Sequence, residues 1–92
     1  MGKLSAAEAE RIQVLIEECA EFQSTASKIL RSGFNHFKRS NELAMKIAYL
    51  ESAIDLIVEF GDVDIDRIDN YESVCIIRRK SLKFQNTEDS EN

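Results

Sequence analysis

One stretch decides the fold of this chain, and it reads Ile12-Gln13-Val14-Leu15-Ile16-Glu17-Glu18-Cys19-Ala20-Glu21-Phe22. Apolar residues recur in it at intervals of three and four, which is the spacing of an amphipathic α-helix. The pattern continues to Leu30. Ser5 and Glu8 form a capping-box pattern before the stretch and Gly33 follows it, so the sequence predicts a helix from about Ser5 to Arg31.

A second helix is predicted after a loop that runs from Gly33 to Ser40. Ser40 or Asn41 is expected to cap this helix at its start, and Gly61 is expected to mark its end. Apolar residues repeat along it at intervals of four and three, which predicts a seam that packs on another helix. The predicted seam contains Leu43, Ile47, Leu50, Ile54 and Ile57.

The segment 62–66 alternates acidic and apolar residues, a pattern that also fits a short strand. We interpret it as a loop in which Asp64 or Asp66 caps a third helix carrying Ile68 and Tyr71. The sequence therefore predicts an all-α fold, with a single helical domain at residues 1–85 and a disordered polar tail at 86–92. A chain of 92 residues buries a thin core, so association with further copies would help to complete a helical bundle.

The composition excludes several classes of function. A net charge of -5 makes the surface repel phosphodiester backbones and anionic lipid, which disfavours nucleic acid as a partner. No stretch has the length and apolar character of a membrane span. Cys19 and Cys75 lie far apart in the sequence and are expected to be free thiols. We therefore predict a cytoplasmic protein. The sequence also lacks a Gly-rich phosphate loop and a Ser/His/Asp set.

Acidic residues on the first helix suggest a metal site. Glu18 and Glu21 are three residues apart and lie on one side of the helix, where they can share a cation. Glu17 either reaches the same ion or faces solvent. Oxygen ligands of this kind suit magnesium. Glutamates are also common on exposed helix faces, so this spacing is weak evidence by itself.

Two segments together carry a resemblance to a known family: Leu15-Ile16-Glu17-Glu18-Cys19-Ala20-Glu21-Phe22 and Ser27-Lys28-Ile29-Leu30-Arg31-Ser32-Gly33. They resemble the first long helix of MazG-like nucleotide pyrophosphohydrolases, particularly small phage and bacterial members. The resemblance continues at reduced strength to about Lys83. It implies a MazG-like helical bundle completed by homo-oligomerisation as a dimer or tetramer. It also implies magnesium-dependent hydrolysis of nucleoside triphosphates to monophosphate and pyrophosphate, with Glu17, Glu18 and Glu21 on the metal.

The family's second acidic motif, a Glu-x-x-Asp on the next helix, does not align with acidic residues in this chain. A gapless alignment places it at Lys46 and Tyr49, so both implied metal ligands are missing. We expect the Lys46 ammonium to face Glu18 and Glu21 and to replace the ion by an ion pair. Four acidic residues further along the helix are alternative ligands, although helical geometry places most of them on the other flank of the predicted seam: Glu51, Asp55, Glu59 and Asp62.

Two hypotheses for the function follow from these residues. The first is a pyrophosphohydrolase that binds magnesium, with Lys28 and Arg31 on the phosphates of a nucleotide. These two cations can equally solvate the end of the first helix and favour its dipole. The second hypothesis is a catalytically degenerate member of the same fold that acts as a binding or interaction protein, with Lys46 held by the acidic cluster and a protein as a possible partner.

Overall fold

Three helices form the part of the chain that the structure describes, which is residues 2–79 and 82–83 of this computed structural model. They are α1 (Ala6–Ser32), α2 (Phe37–Glu59) and α3 (Ile65–Arg79). Those residues contain no strand, so the predicted all-α fold class is confirmed, and the strand alternative for residues 62–66 is wrong. The predicted tail at 86–92 lies outside the described residues.

The ends of α1 follow from local sequence chemistry as predicted. The Glu8 backbone amide donates to Ser5 Oγ at 3.1 Å, and the Ser5 amide donates to the Glu8 carboxylate at 2.7 Å. This reciprocal pair satisfies two amides that the first turn of a helix leaves without partners. At the other end the Gly33 amide donates to the Ile29 carbonyl at 2.7 Å, with Gly33 in the left-handed region at φ 78°.

The start of α2 differs from the prediction. The helix begins at Phe37, before the predicted caps Ser40 and Asn41, and the loop from α1 is correspondingly short. His36 occupies the cap position and its side chain makes no capping hydrogen bond. A short loop that reverses the chain requires unusual backbone angles, and Asn35 and His36 both have positive φ, 49° and 56°. The predicted Ser40 or Asn41 cap is therefore wrong.

We expect a glycine at position 36 to stabilise the protein. His36 has φ 56° and ψ -135°, a region that side chains with a Cβ disfavour strongly. Relief of this strain in His36→Gly should raise the free energy of unfolding by about 1 kcal/mol. Chemical denaturation followed by circular dichroism measures the change. His36→Ala keeps a Cβ and should leave the stability near that of the wild type; an equal gain in both variants would mean that backbone strain at His36 is not the cause.

The end of α2 is set by Gly61, as predicted. Gly61 adopts φ 76°, its amide donates to the Val58 carbonyl, and the Asp62 amide donates to the Ile57 carbonyl, both at 3.1 Å. These two bonds form a Schellman turn, which needs a residue in the left-handed conformation and therefore favours glycine.

In the segment that follows, the Asp66 amide donates to Asp64 Oδ1 at 2.9 Å, so Asp64 caps α3.

The chain divides into two units, Met1–Asp62 and Val63–Asn92. In the first unit, α1 and α2 pack against each other as an antiparallel helical hairpin. In the second unit, α3 carries exposed apolar residues at Ile65, Tyr71 and Val74. The assignment of residues 1–85 to a single domain stays a prediction.

Each helix of the hairpin has a row of residues that faces the other helix, and all members of this seam are buried or half-buried. The prediction of the seam on α2 was only partly correct. On α1 the seam contains Arg11, Leu15, Glu18, Phe22, Thr25 and Ile29, and on α2 it contains Leu43, Lys46, Leu50, Ala53 and Ile57. Ile47 and Ile54, two predicted members, remain 39% and 41% exposed, so the prediction is wrong at these positions. Lys46 and Ala53 face α1 in their place.

Candidate functional site

The middle of the hairpin brings Glu21 of α1 and Lys46 of α2 together. Lys46 Nζ lies 3.3 Å from Glu21 Oε1 and 5.7 Å from the centre of the Tyr49 ring. The aromatic face is attractive to a cation at this range. Lys46 reaches both groups because it occupies a seam position, where its stem packs between the helices and its ammonium emerges on one side.

Glu18 and Glu21 share this environment but respond to it in opposite ways. The hydrogen bond from Lys46 lowers the pKa of Glu21, and a hydrogen bond with Glu18 adds to that effect. The pKa of Glu18 is raised, first by desolvation at its half-buried position and then by hydrogen bonding to Glu21 and repulsion from it. The two carboxylates therefore favour a state in which Glu21 is ionised and one positive charge lies between the helices.

A cleft of about 410 Å³ opens beside this ion pair. Its wall combines the two carboxylates with the phenol of Tyr49 and with small or apolar groups: Val14, Glu18, Glu21, Tyr49, Ser52, Ala53 and Leu56. The cleft is large enough for a small organic group or a side chain of a partner. With ionised Glu21 on its rim, it disfavours a bare phosphate and favours a cationic or apolar occupant.

The other predicted residues of the first helix lie outside the cleft. Glu17 is exposed and is not among the residues that line it. Lys28 and Arg31 are also exposed, on the same side of α1 as Glu21, about 10 and 15 Å further along the helix axis. The structure therefore brings Glu18, Glu21, Lys46 and Tyr49 together, and it leaves Glu17, Lys28 and Arg31 apart from them.

The alternative acidic residues do not gather around the cleft either. Glu51, Asp55 and Glu59 are exposed, and none of them lines it. Asp62 is held by Arg11 in a bidentate ion pair, with Nε to Oδ2 at 2.6 Å and Nη2 to Oδ1 at 2.8 Å. Within the described part of the chain, no three His, Cys, Asp or Glu residues are arranged so that they could hold a metal ion.

Arg11 is the main residue that the sequence analysis missed. Its guanidinium lies 4.7 Å from the centre of the Phe60 ring, and only 12% of its side chain is exposed. Its hydrogen bonds lower the pKa of Asp62 and raise its own pKa. A signal was present, because Arg11 precedes Leu15 by four residues on the apolar stripe, and a charge at such a position requires a partner.

The comparisons with known proteins leave the family unassigned: no family model matches the sequence, and no curated protein and no solved structure matches the chain. Among the helices of the described residues, none is both long and apolar enough to cross a membrane.

Proposed function

We propose that this chain has a MazG-like fold in which Lys46 takes the place of a metal ion, and that it acts as a non-catalytic binding or interaction protein. The observation that supports this proposal is the contact of 3.3 Å between Lys46 Nζ and Glu21 Oε1. An ammonium at this position supplies the positive charge that the resemblance assigns to a magnesium ion in MazG-like enzymes.

The chemistry of the opposing helix also supports this proposal. Magnesium requires a nearly octahedral set of oxygen ligands at short range and binds poorly where a cation already occupies the site. The residues of α2 that line the cleft are Tyr49, Ser52, Ala53 and Leu56, and none of them is a carboxylate. The ammonium of Lys46 binds Glu21 beside the cleft. Without a divalent ion, the carboxylates repel the triphosphate of a nucleotide, so a protein partner fits the cleft better than a nucleotide.

The proposal includes the association of two or more copies in the cytoplasm. Within the described residues of the hairpin, only Thr25, Ala53 and Ile57 are buried, and each of them keeps 3–5% of its surface exposed. A two-helix unit with so little buried apolar surface is marginal by itself. Assembly as a dimer or tetramer would add the missing burial.

The magnesium-dependent pyrophosphohydrolase is the second candidate function. The observation that favours it is the convergence of Glu18 and Glu21 on one cleft, with the pKa of Glu18 raised by desolvation and by its neighbour. A carboxylate in this condition would gain from additional positive charge, which a magnesium ion with a bound nucleotide would bring. Lys28 and Arg31 would then have to reach the phosphates from outside the cleft.

One experiment separates the two candidates. The protein is incubated with a panel of nucleoside triphosphates and magnesium, and the products are analysed for monophosphate and pyrophosphate, while magnesium binding is measured by calorimetry. We expect no turnover and no heat of binding for the wild type. Turnover that Glu18→Gln abolishes would overturn the proposal and establish the enzyme, because this change removes one carboxylate charge and preserves the shape of the side chain.

A further inference from the structure

The hairpin has two distinct sides, and the cleft occupies one of them. Val14, Glu21, Tyr49, Ser52 and Leu56 line the cleft, and each directly precedes a seam residue of its helix. In an antiparallel pair of right-handed helices, positions that precede the seam point to one side, and positions that follow the seam point to the other side. The residues that follow the seam therefore form the side opposite to the cleft.

That opposite side is apolar on both helices. We call it the apolar face and define it by Ile12, Ile16, Cys19, Ile47, Ile54 and Val58. Ile16 is 55% exposed, and Ile47 and Ile54 are 39% and 41% exposed, although isoleucine is among the residues most often buried. Each of these residues directly follows a seam residue of its helix. They therefore lie along the same side of both helices and form one continuous surface.

We propose that a second copy of this chain covers the apolar face. The hairpin is about 35 Å long, as the 23 residues of α2 give, and about 20 Å wide across two helices, so one side offers about 700 Å². A stable interface between two proteins buries about 800 Å² on each partner. The area of the side that carries the apolar face is therefore close to what a two-fold dimer needs.

The distribution of charge selects this side over the other. The side with the cleft carries Glu17 and Lys28 as well as the ion pair of Glu21 with Lys46. A second copy packed there would have to take these charged groups out of water, which is costly. The apolar face carries Glu51 near its middle and is otherwise poor in charge. For a chain with a net charge of -5, the charge-poor side is where two copies approach most easily. The dimer leaves both clefts accessible to partners.

This inference rests on the proposed association of chains and is independent of whether Lys46 replaces a metal ion. A matched pair of variants tests it. Ile47→Glu places a charge on the apolar face, and Met45→Glu places the same charge on the other side of the same helix at a residue with 44% exposure. Sedimentation velocity over a range of concentrations should give twice the chain mass for the wild type and Met45→Glu. Ile47→Glu should sediment as a monomer.

The exposed thiols of Cys19 and Cys75 provide a second readout in which the isoleucines of the apolar face are unchanged. In Cys75→Ser protein, maleimide labelling of Cys19 should slow by about tenfold or more as the chain concentration rises through the dimerisation range. In Cys19→Ser protein, labelling of Cys75 should not depend on concentration. Circular dichroism shows whether Ile47→Glu keeps its helices, and if it unfolds, the labelling of Cys19 in Cys75→Ser protein decides.

Three outcomes would overturn the inference. A wild type that remains monomeric at high concentration has no second copy on the face, even if Cys19 is slow to react. A dimer that Met45→Glu and Ile47→Glu weaken equally uses another surface. A dimer in which Cys19 reacts at the rate of the monomer leaves the apolar face uncovered. Each of these results differs from the magnesium and nucleotide measurements that test the proposed function, so failure of one proposal is distinguishable from failure of the other.

Discussion

Lys46→Glu combined with Tyr49→Asp is expected to create magnesium binding at the hairpin. The double change replaces the ammonium between the helices by a carboxylate and adds a second carboxylate beside the cleft, opposite Glu18 and Glu21. Four clustered carboxylates repel one another, and a divalent cation relieves that repulsion while receiving oxygen ligands. We expect magnesium affinity to rise by at least about tenfold over the wild type, measured by calorimetry.

Single changes show which group prevents magnesium binding in the wild type. Lys46→Gln removes the charge and leaves only two carboxylates, so it should give a weaker gain than the double change. Tyr49→Asp alone should give little gain, because the ammonium remains 3.3 Å from Glu21. Adding Glu18→Gln to the double variant should abolish the new binding. A double variant that keeps its helices by circular dichroism and binds no magnesium would contradict the proposed role of Lys46.

The helices were predictable because their ends are encoded locally. The capping box at Ser5 and Glu8 and the left-handed glycines at positions 33 and 61 act within a few residues of where they stand. The start of α2 was not predictable in this way. A short loop with His36 in a disfavoured conformation starts the helix at Phe37, and a search for capping side chains cannot detect that.

The seam of α2 shows a limit of reading periodicity from one chain. The predicted and the observed seam share Leu43, Leu50 and Ile57 and differ at two positions. At each of these, two neighbouring residues satisfy the spacing of three and four, and the pattern does not tell which of them faces α1. The hairpin places the small Ala53 and the paired Lys46 against α1 and leaves Ile54 and Ile47 exposed. The largest aliphatic residue therefore does not mark the side that faces α1 at these two positions, because Ile47 and Ile54 point outward.

The part of the candidate site that lies on one helix was predictable from local spacing. Glu18 and Glu21 are neighbours on one helix, and the resemblance to MazG-like proteins indicated that Lys46 and Tyr49 would lie opposite them. The pair of Arg11 and Asp62 joins residues that are 51 positions apart, and no local spacing encodes it. It depends on the length of both helices and on the Schellman turn at Gly61 that places Asp62 after the end of α2.

Asp62→Asn is expected to destabilise the hairpin at neutral pH and to have little effect in acid. The change removes the charge that Arg11 binds through two hydrogen bonds of 2.6 and 2.8 Å, and both side chains of the pair are nearly buried. Arg11 would be left beside a neutral amide with its charge uncompensated. We expect the Tm to fall by about 5 °C at pH 7, measured by circular dichroism.

The pH dependence follows from the lowered pKa of Asp62, whose cause is the hydrogen bonding from Arg11. Because the folded state holds this carboxylate ionised to lower pH, the unfolded state binds more protons below about pH 4. The stabilisation is therefore fully present above about pH 4 and is lost as the pH falls through the lowered pKa. The difference in Tm between wild type and Asp62→Asn should shrink over that range. Glu59→Gln, which neutralises an exposed carboxylate of α2, should show no such difference at pH 7.

Added magnesium distinguishes the two roles that Asp62 could have. If Asp62 were a metal ligand together with Glu59, magnesium would raise the Tm of the wild type and would have no effect on Asp62→Asn. Because Arg11 occupies both oxygens of Asp62, we expect magnesium to leave both Tm values unchanged. A magnesium-dependent rise that needs Asp62 would mean that the ion displaces Arg11, and the acidic end of α2 would then become the metal site in place of Glu18 and Glu21.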